Sequence, residues 1–158
     1  ILLAGLMVAL GACRPAPEQQ THWAVETQTN AGGVEVFLRL SATEARPGDV
    51  VRVELETRAP AGLQVTPEAW RPDGLEPVDF IAGDVQLDGG NAVRRRWQWV
   101  LQAAAPATLT NPPIHLMCLS ATASNTCDIA VPVIGIQSAF APGAFTNRLP
   151  PLEGRDAF

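Results

Sequence analysis

The sequence contains no lysine and no tyrosine, and charged residues make up only 17% of its 158 residues. Every cation is therefore an arginine, and the formal net charge is −5. An acidic chain lacks the excess of cations that nucleic-acid phosphates require, so we expect no nucleic-acid partner. The apolar content of 47% can build a sizeable core and excludes a disordered polar chain.

Motifs that mark enzymes and cofactor sites are also missing. There is no phosphate-binding glycine loop, no dinucleotide fingerprint, no His-Glu-x-x-His pair and no calcium-binding loop, so we expect neither cofactor nor metal. The two histidines are His22 and His115, and no serine lies in a Gly-x-Ser-x-Gly turn. We predict a protein without enzymatic activity. A hydrolase stays open as an alternative, because the members of a Ser-His-Asp triad need not be close in the chain.

The first twelve residues form an apolar, uncharged run from Ile1 to Ala12. This run is too short to cross a bilayer as a helix, which takes about 20 residues, and it is typical of the apolar part of a secretory signal. It ends in Leu10-Gly11-Ala12-Cys13, which resembles the bacterial lipobox. We predict that residues 1–12 are a lipoprotein signal segment, that Cys13 is lipidated, and that Met and a basic segment precede Ile1.

Residues 13–21 are rich in Pro and Gln, a composition that disfavours packing and keeps a tether extended. Two or three acyl chains on Cys13, at ~0.8 kcal/mol per buried methylene, would hold the protein on the bilayer. We therefore expect a lipid-anchored protein that faces the periplasm of a bacterial envelope. Residue 14 is Arg rather than Asp, which by resemblance to the sorting rule of enteric bacteria favours the outer membrane.

Residues 22–140 are predicted to form short strands separated by turns. From Val34 to Leu40 apolar residues alternate with others, and the same period of two recurs from Val51 to Glu56. Fourteen prolines and thirteen glycines favour turns over long helices. We predict an all-β, immunoglobulin-like antiparallel β-sandwich of about seven strands, with an antiparallel barrel as the alternative. Residues 67–79 are predicted to be a long loop and residues 141–158 a loosely ordered tail.

A hairpin turn is predicted at Asp88-Gly89-Gly90-Asn91. In the strand that follows, alternation places Arg95, Trp97 and Trp99 on one face and Arg94 and Arg96 on the other. One interpretation is a solvated face on which Arg95 stacks against a tryptophan. The other is a binding surface, because Trp and Arg are favoured as interface anchors. The candidate binding residues are Arg95, Trp97, Trp99 and Trp70.

Two cysteines remain after Cys13, and they flank a short uncharged segment. Cys118 lies in a predicted strand from Ile114 to Leu119, and Cys127 begins one that extends to Ile136. Both positions are in phase with apolar neighbours, so in antiparallel strands both thiols would point at one face. An exported protein meets an oxidising space, so we predict a Cys118–Cys127 disulfide. His115 points to the opposite face from Cys118 and is not expected to share a metal with it.

Two stretches resemble the BatD family, periplasmic proteins of the bacterial aerotolerance clusters. They are residues 40–53, with their Arg-Pro-Gly-Asp turn, and the arginine-rich residues 92–101, which precede Pro112-Pro113-Ile114. The likeness covers residues 33–138. It implies an immunoglobulin-like sandwich without enzymatic activity, working beside von Willebrand-type and MoxR-type ATPase partners. This chain differs in having one such domain, and an N-terminal lipid in place of a C-terminal membrane helix.

Three functions follow from these observations. The first is a membrane-tethered, non-enzymatic module that binds another envelope protein. The second is a β-sandwich that binds a small ligand or carbohydrate by stacking on Trp70, Trp97 or Trp99. The third is the hydrolase considered above.

Overall fold

The computed structural model describes residues 22–104 and 111–137. Within these ranges the chain forms strands and turns, without a helix. The predicted signal segment, Cys13, the tether and the tail lie outside the described residues. The strands are β1 Val25–Ala31, β2 Val34–Leu40, β3 Glu44–Ala45, β4 Val50–Pro60, β5 Gln64–Pro67, β6 Leu75–Ala82, β7 Gln86–Asp88, β8 Ala92–Ala103, β9 Ile114–Leu119, β10 Ser124–Ile129 and β11 Gly135–Ile136.

The larger sheet has six strands in the order β1-β2-β4-β8-β6, with β7 also paired to β8. All neighbours in it are antiparallel. Strands β6 and β7 follow one another along the same side of β8 and together form one margin of the sheet. Strands β1 and β2 are joined by Gly32 and Gly33, whose φ angles are 60° and 81°. A two-residue hairpin turn of type I′ needs positive φ at both central residues, which glycine adopts without strain.

The smaller sheet has the order β10-β9-β5 and is also antiparallel. Strand β10 approaches β1, and β5 approaches β4, so this sheet packs over the β1-β2-β4 part of the larger one. Strands β3 and β11 form a separate parallel pair. The predicted antiparallel β-sandwich is confirmed. The described residues contain eleven strands rather than about seven, because several are short or irregular.

The core lies between the two sheets and uses alternate residues of the long strands. In β2 the residues predicted to face inward are each at most 1% exposed. Strands β4, β8 and β9 contribute in the same alternating way, which is the pattern of a sheet with one face on the core. The apolar inward residues of these four strands are Val34, Val36, Leu38, Leu40, Val51, Val53, Leu55, Ala59, Trp97, Trp99, Leu101, Ala103, Ile114, Leu116 and Cys118.

Two predicted boundaries are wrong. Residues 75–79, predicted to end a long loop, belong to β6, and Pro77 is accommodated where the pairing of β6 with β8 shifts register. A proline is tolerated there because β6 is an edge strand with a bulge. The predicted strand from Cys127 to Ile136 is interrupted. Strand β10 ends at Ile129, before Pro132, which has no N–H to donate to a strand partner.

Candidate interaction surface

The three tryptophans predicted to form a binding surface are buried. Trp70, Trp97 and Trp99 are 5%, 7% and 4% exposed. Trp70 meets Trp99 edge-on, with ring centroids 5.7 Å apart, and its Nε1–H donates a 2.8 Å hydrogen bond to the carbonyl of Pro112. The prediction of an exposed aromatic surface is therefore wrong. Alternation grouped the correct residues on one face of β8, but that face is the core face.

Arg95 shares this face and lies at the border of the core. Its Nη1 donates a 3.4 Å hydrogen bond to the carbonyl oxygen of Val65, in the outermost strand of the smaller sheet. The side chain thus links β8 of the larger sheet to β5 of the smaller one. This hydrogen bond helps to hold the two sheets together. Trp97 and Trp99, predicted to form a binding surface with Arg95, are buried in the core.

The opposite, outer face of the larger sheet carries a network of ion pairs. Glu54 and Glu56 lie at its centre and are each 7% exposed, because arginines cover them. Arg39 Nη1 lies 2.7 Å from Glu54 Oε1, and Arg96 Nη2 lies 3.0 Å from Glu56 Oε2. Burial acts to lower the pKa of Arg39. The hydrogen bonds and charges of Glu54, Glu26 and Glu56 outweigh burial and raise that pKa above its usual range.

The network extends to Asp88, at the end of β7. Asp88 Oδ2 lies 3.0 Å from Arg58 Nε and 3.2 Å from Arg94 Nη2. Burial acts to raise the pKa of Asp88, but the charges of Arg58 and Arg94 and a hydrogen bond from the Gly89 N–H lower it overall. The two outward arginines of the triple-arginine run are therefore engaged by carboxylates, and this run does not present a free anion site.

The two cysteines of the smaller sheet are diagonal neighbours across β9 and β10. Cys118 opposes Asn125 and Cys127 opposes Leu116, so both thiols lie on the same face, as predicted. They are 4.3 Å apart and not bonded. Burial, and next the neighbouring Cys127, raise the pKa of the Cys118 thiol. The predicted disulfide is not present in the structure, although the two cysteines lie close together on neighbouring strands.

His115 lies on the exposed face of β9, away from Cys118, as predicted. Its Nδ1 is 2.7 Å from Asp128 Oδ1. Ser124, the serine of β10, lies four residues before Asp128, which is about 13 Å at 3.3 Å per residue, so it cannot complete a triad with this pair. Among the residues that the structure describes, no group of three or more His, Cys, Asp or Glu side chains could hold a metal ion.

One surface that sequence reasoning missed is the margin formed by β6 and β7. Its large apolar side chains are between 47% and 87% exposed, with Leu87 the most exposed. The ring of Phe80 packs on Trp99 at a centroid distance of 5.3 Å and continues the core outward to this edge. We call this surface the apolar margin, and it consists of Val78, Phe80, Ile81, Val85 and Leu87.

The strand edges at β1 and β10 are polar. Strand β1, at the opposite end of the larger sheet, exposes Thr27, Gln28 and Thr29, and β10 exposes Ser124 and Thr126. An exposed apolar edge strand can pair with a strand of another chain, and most proteins prevent this by shortening, charging or covering such edges. The apolar margin differs from both polar edges in this respect. The sequence signal for it is the apolar residues Val78, Phe80 and Ile81, of which Val78 falls within the predicted loop at residues 67–79.

Comparison of the chain with family models, curated proteins and solved structures finds no match. The resemblance to the BatD family therefore stays a prediction. Within the described residues, no helix has the length and apolar character needed to span a membrane.

Proposed function

We propose that the chain is a lipid-anchored, non-enzymatic protein of the bacterial envelope, and that its β-sandwich binds another envelope protein. The apolar margin is the observation that carries this proposal. Several large apolar side chains exposed along one edge of a sheet are typical of a protein interaction site. Because the edges of β1 and β10 are polar, we assign the proposed binding site to the apolar margin.

The proposed anchor supports the same function. Lipidation at Cys13, followed by a tether to residue 21, would keep the sandwich within about 30 Å of the bilayer surface, since an extended residue spans ~3.3–3.6 Å. Its partner would then be a protein at or near the same membrane, with the outer membrane favoured by Arg14. The BatD resemblance supports a partner from a cluster of MoxR-type and von Willebrand-type proteins.

Neither alternative function gains support. Binding a carbohydrate by stacking needs accessible aromatic faces, and Trp70, Trp97 and Trp99 are buried. A hydrolase needs a nucleophile beside its base, and the His115–Asp128 pair has no serine close to it on β10.

Position-specific photo-crosslinking in cells tests the proposal. A photo-reactive amino acid at position 87 would report on the apolar margin, and the same group at position 28 would report on the polar edge of β1 as a matched control. We expect a discrete adduct with an envelope protein from position 87 and none from position 28. The same adducts from both positions, or none from position 87, would contradict the proposed interaction.

A further inference from the structure

We infer that the apolar margin binds its partner by strand addition, and that the added segment is extended and cationic. This inference rests on the proposed function and names the chemistry of the partner. It depends on three features of the margin, which are the free backbone groups of β6, apolar side chains on both faces, and unpaired acidic side chains.

The backbone of β6 offers hydrogen-bonding groups to an added strand. The Gly83 N–H donates a 2.8 Å hydrogen bond to the carbonyl of Arg96 in β8. Because hydrogen-bonded and non-hydrogen-bonded pairs alternate in an antiparallel ladder, Ala82 and Phe80 direct their N–H and C=O groups away from β8. The Phe80 N–H is met instead by the carboxylate of Asp79, at 2.8 Å. A local side-chain acceptor of this kind can be exchanged for the carbonyl of an incoming strand.

Apolar side chains flank this edge on both faces of the sheet. Phe80 is paired with Trp99 and faces the core side, whereas Ile81 is paired with Gln98 and faces the outer side. They are 51% and 47% exposed. A strand added to β6 would bring its own side chains against both, since cross-strand neighbours on each face lie about 5 Å apart. A partner that docked on one face of the sheet would contact only one of them.

The edge of β6 also carries acidic side chains that form no ion pair among the described residues. On the outer face, Glu54, Glu56 and Asp88 all lie within 4 Å of an arginine. Three other acids, Glu76, Asp79 and Asp84, lie along β6 and the bulge that follows it, and none of them is within 4 Å of an arginine of the described residues. Complementary charge selects partners and suppresses wrong ones. It therefore favours a segment with Arg or Lys and disfavours a second copy of this chain, in which acids would meet acids.

A bulge sets the length of the segment. Gly83 is bonded to Arg96 and Gln86 is paired with Arg94, so Asp84 and Val85 together oppose Arg95 alone. Where two residues of an edge strand oppose a single residue of its partner, the strand bends and its pairing is interrupted. With a second irregularity between Pro77 and Asp79, the regular edge extends over about five residues. The expected ligand is therefore a short extended segment in which apolar residues alternate with cationic ones.

Binding of synthetic peptides to the full chain tests the inference. We would compare a ten-residue peptide of alternating Arg and Val with a Glu/Val peptide of the same pattern and with an Arg/Val peptide carrying N-methylated backbone nitrogens. We expect the Arg/Val peptide to bind best and to slow amide hydrogen exchange at Phe80 and Ala82. The double variant Asp79→Asn, Asp84→Asn should weaken its binding about fivefold at low salt. Glu44→Gln, an exposed acid away from the margin, is the matched control and should leave binding unchanged.

Several results would overturn strand addition. Strand addition would be wrong if the acidic or N-methylated peptide bound as tightly as the Arg/Val peptide. It would also be wrong if the Arg/Val peptide did not bind at millimolar concentration, or if it left amide exchange at Phe80 and Ala82 unchanged. A dimer that Phe80→Ser dissociates would identify a second copy as the occupant and also overturn it. If these tests fail while the crosslink from position 87 persists, strand addition is wrong and the proposed function stands. Loss of that crosslink removes the proposed function itself.

Discussion

Oxidation of the protein is predicted to join Cys118 and Cys127. The two cysteines lie 4.3 Å apart on neighbouring antiparallel strands, so a small movement would bring the sulfurs to bonding distance. Gly32 faces Cys127, and a Cβ at Gly32 would lie only 2.9 Å from its Sγ. The missing side chain at this glycine leaves the Cys127 sulfur the room that it occupies.

The stabilisation from this bond has an upper limit set by loop closure. A disulfide that closes the ten residues from 118 to 127 would contribute about 2.7 kcal/mol by the chain-entropy relation. Because the two cysteines are diagonal rather than directly opposite, some native-state distortion should reduce this to about 2 kcal/mol. For a domain of this size, that corresponds to a rise of roughly 6–10 °C in Tm.

Thermal unfolding with and without reductant measures the effect. Cys127→Ser is the matched control, because its half-buried position accepts a hydroxyl more readily than the buried Cys118. We expect the Tm of the original chain to fall on reduction and the Tm of the control to be independent of reductant. Free thiols would be counted in parallel under denaturing, non-reducing conditions. Two reactive thiols at these positions after oxidation, or a Tm that reductant does not change, would refute the reasoning.

Further predictions concern other parts of the chain. Glu56→Gln should destabilise the fold by about 1–2 kcal/mol in urea unfolding, because three arginines lose a nearly buried carboxylate; an unchanged midpoint would contradict this. Trp70→Phe should lower the free energy of unfolding by about 2 kcal/mol in the same assay, because the hydrogen bond to Pro112 and some buried volume are lost. An unchanged midpoint would show that the ring only covers the surface. The lowered pKa of Asp88 stabilises the folded state above about pH 4, and this contribution should disappear as pH falls through that pKa; Asp88→Asn should remove it from the pH profile. Cys13→Ser should release the protein from membranes, and a variant that stays in the salt-washed membrane fraction would show that the anchor lies elsewhere.

The strands that sequence could predict are those with one buried face. In β2, every second residue from Val34 is apolar and buried, so the period of two is clear in the sequence. Strand β6 has only Leu75 buried, and its other residues are exposed on both faces. It therefore shows no alternation, and its proline made it resemble a loop.

The burial of the tryptophans illustrates a different limit. Alternation determines which residues share a face of a strand, but the covering layer comes from distant parts of the chain. Trp99 is covered in part by Trp70, which a hydrogen bond to the carbonyl of Pro112 holds in place. That contact joins residues 42 positions apart, and no local pattern announces it.

The outer-face network was hidden for the same reason. Arg39, Glu54 and Arg96 come from three strands, and they meet only because β2, β4 and β8 are adjacent with one particular register. A shift of one residue would reverse the faces and separate the pairs. The sequence showed the charges, but their pairing required the strand order.

The parallel pairing of β3 with β11 has a consequence for how the chain folds. Gly135 pairs with Glu44, so this contact closes a loop of about ninety residues. Contacts between distant residues form late, since the entropy of loop closure has to be met before they contribute, and β-rich folds of this kind reach the native state in milliseconds to seconds. During synthesis, β3 can pair with β11 only after nearly the whole domain has been made. A chain that ended before Gly135 would leave the edge of β3 open.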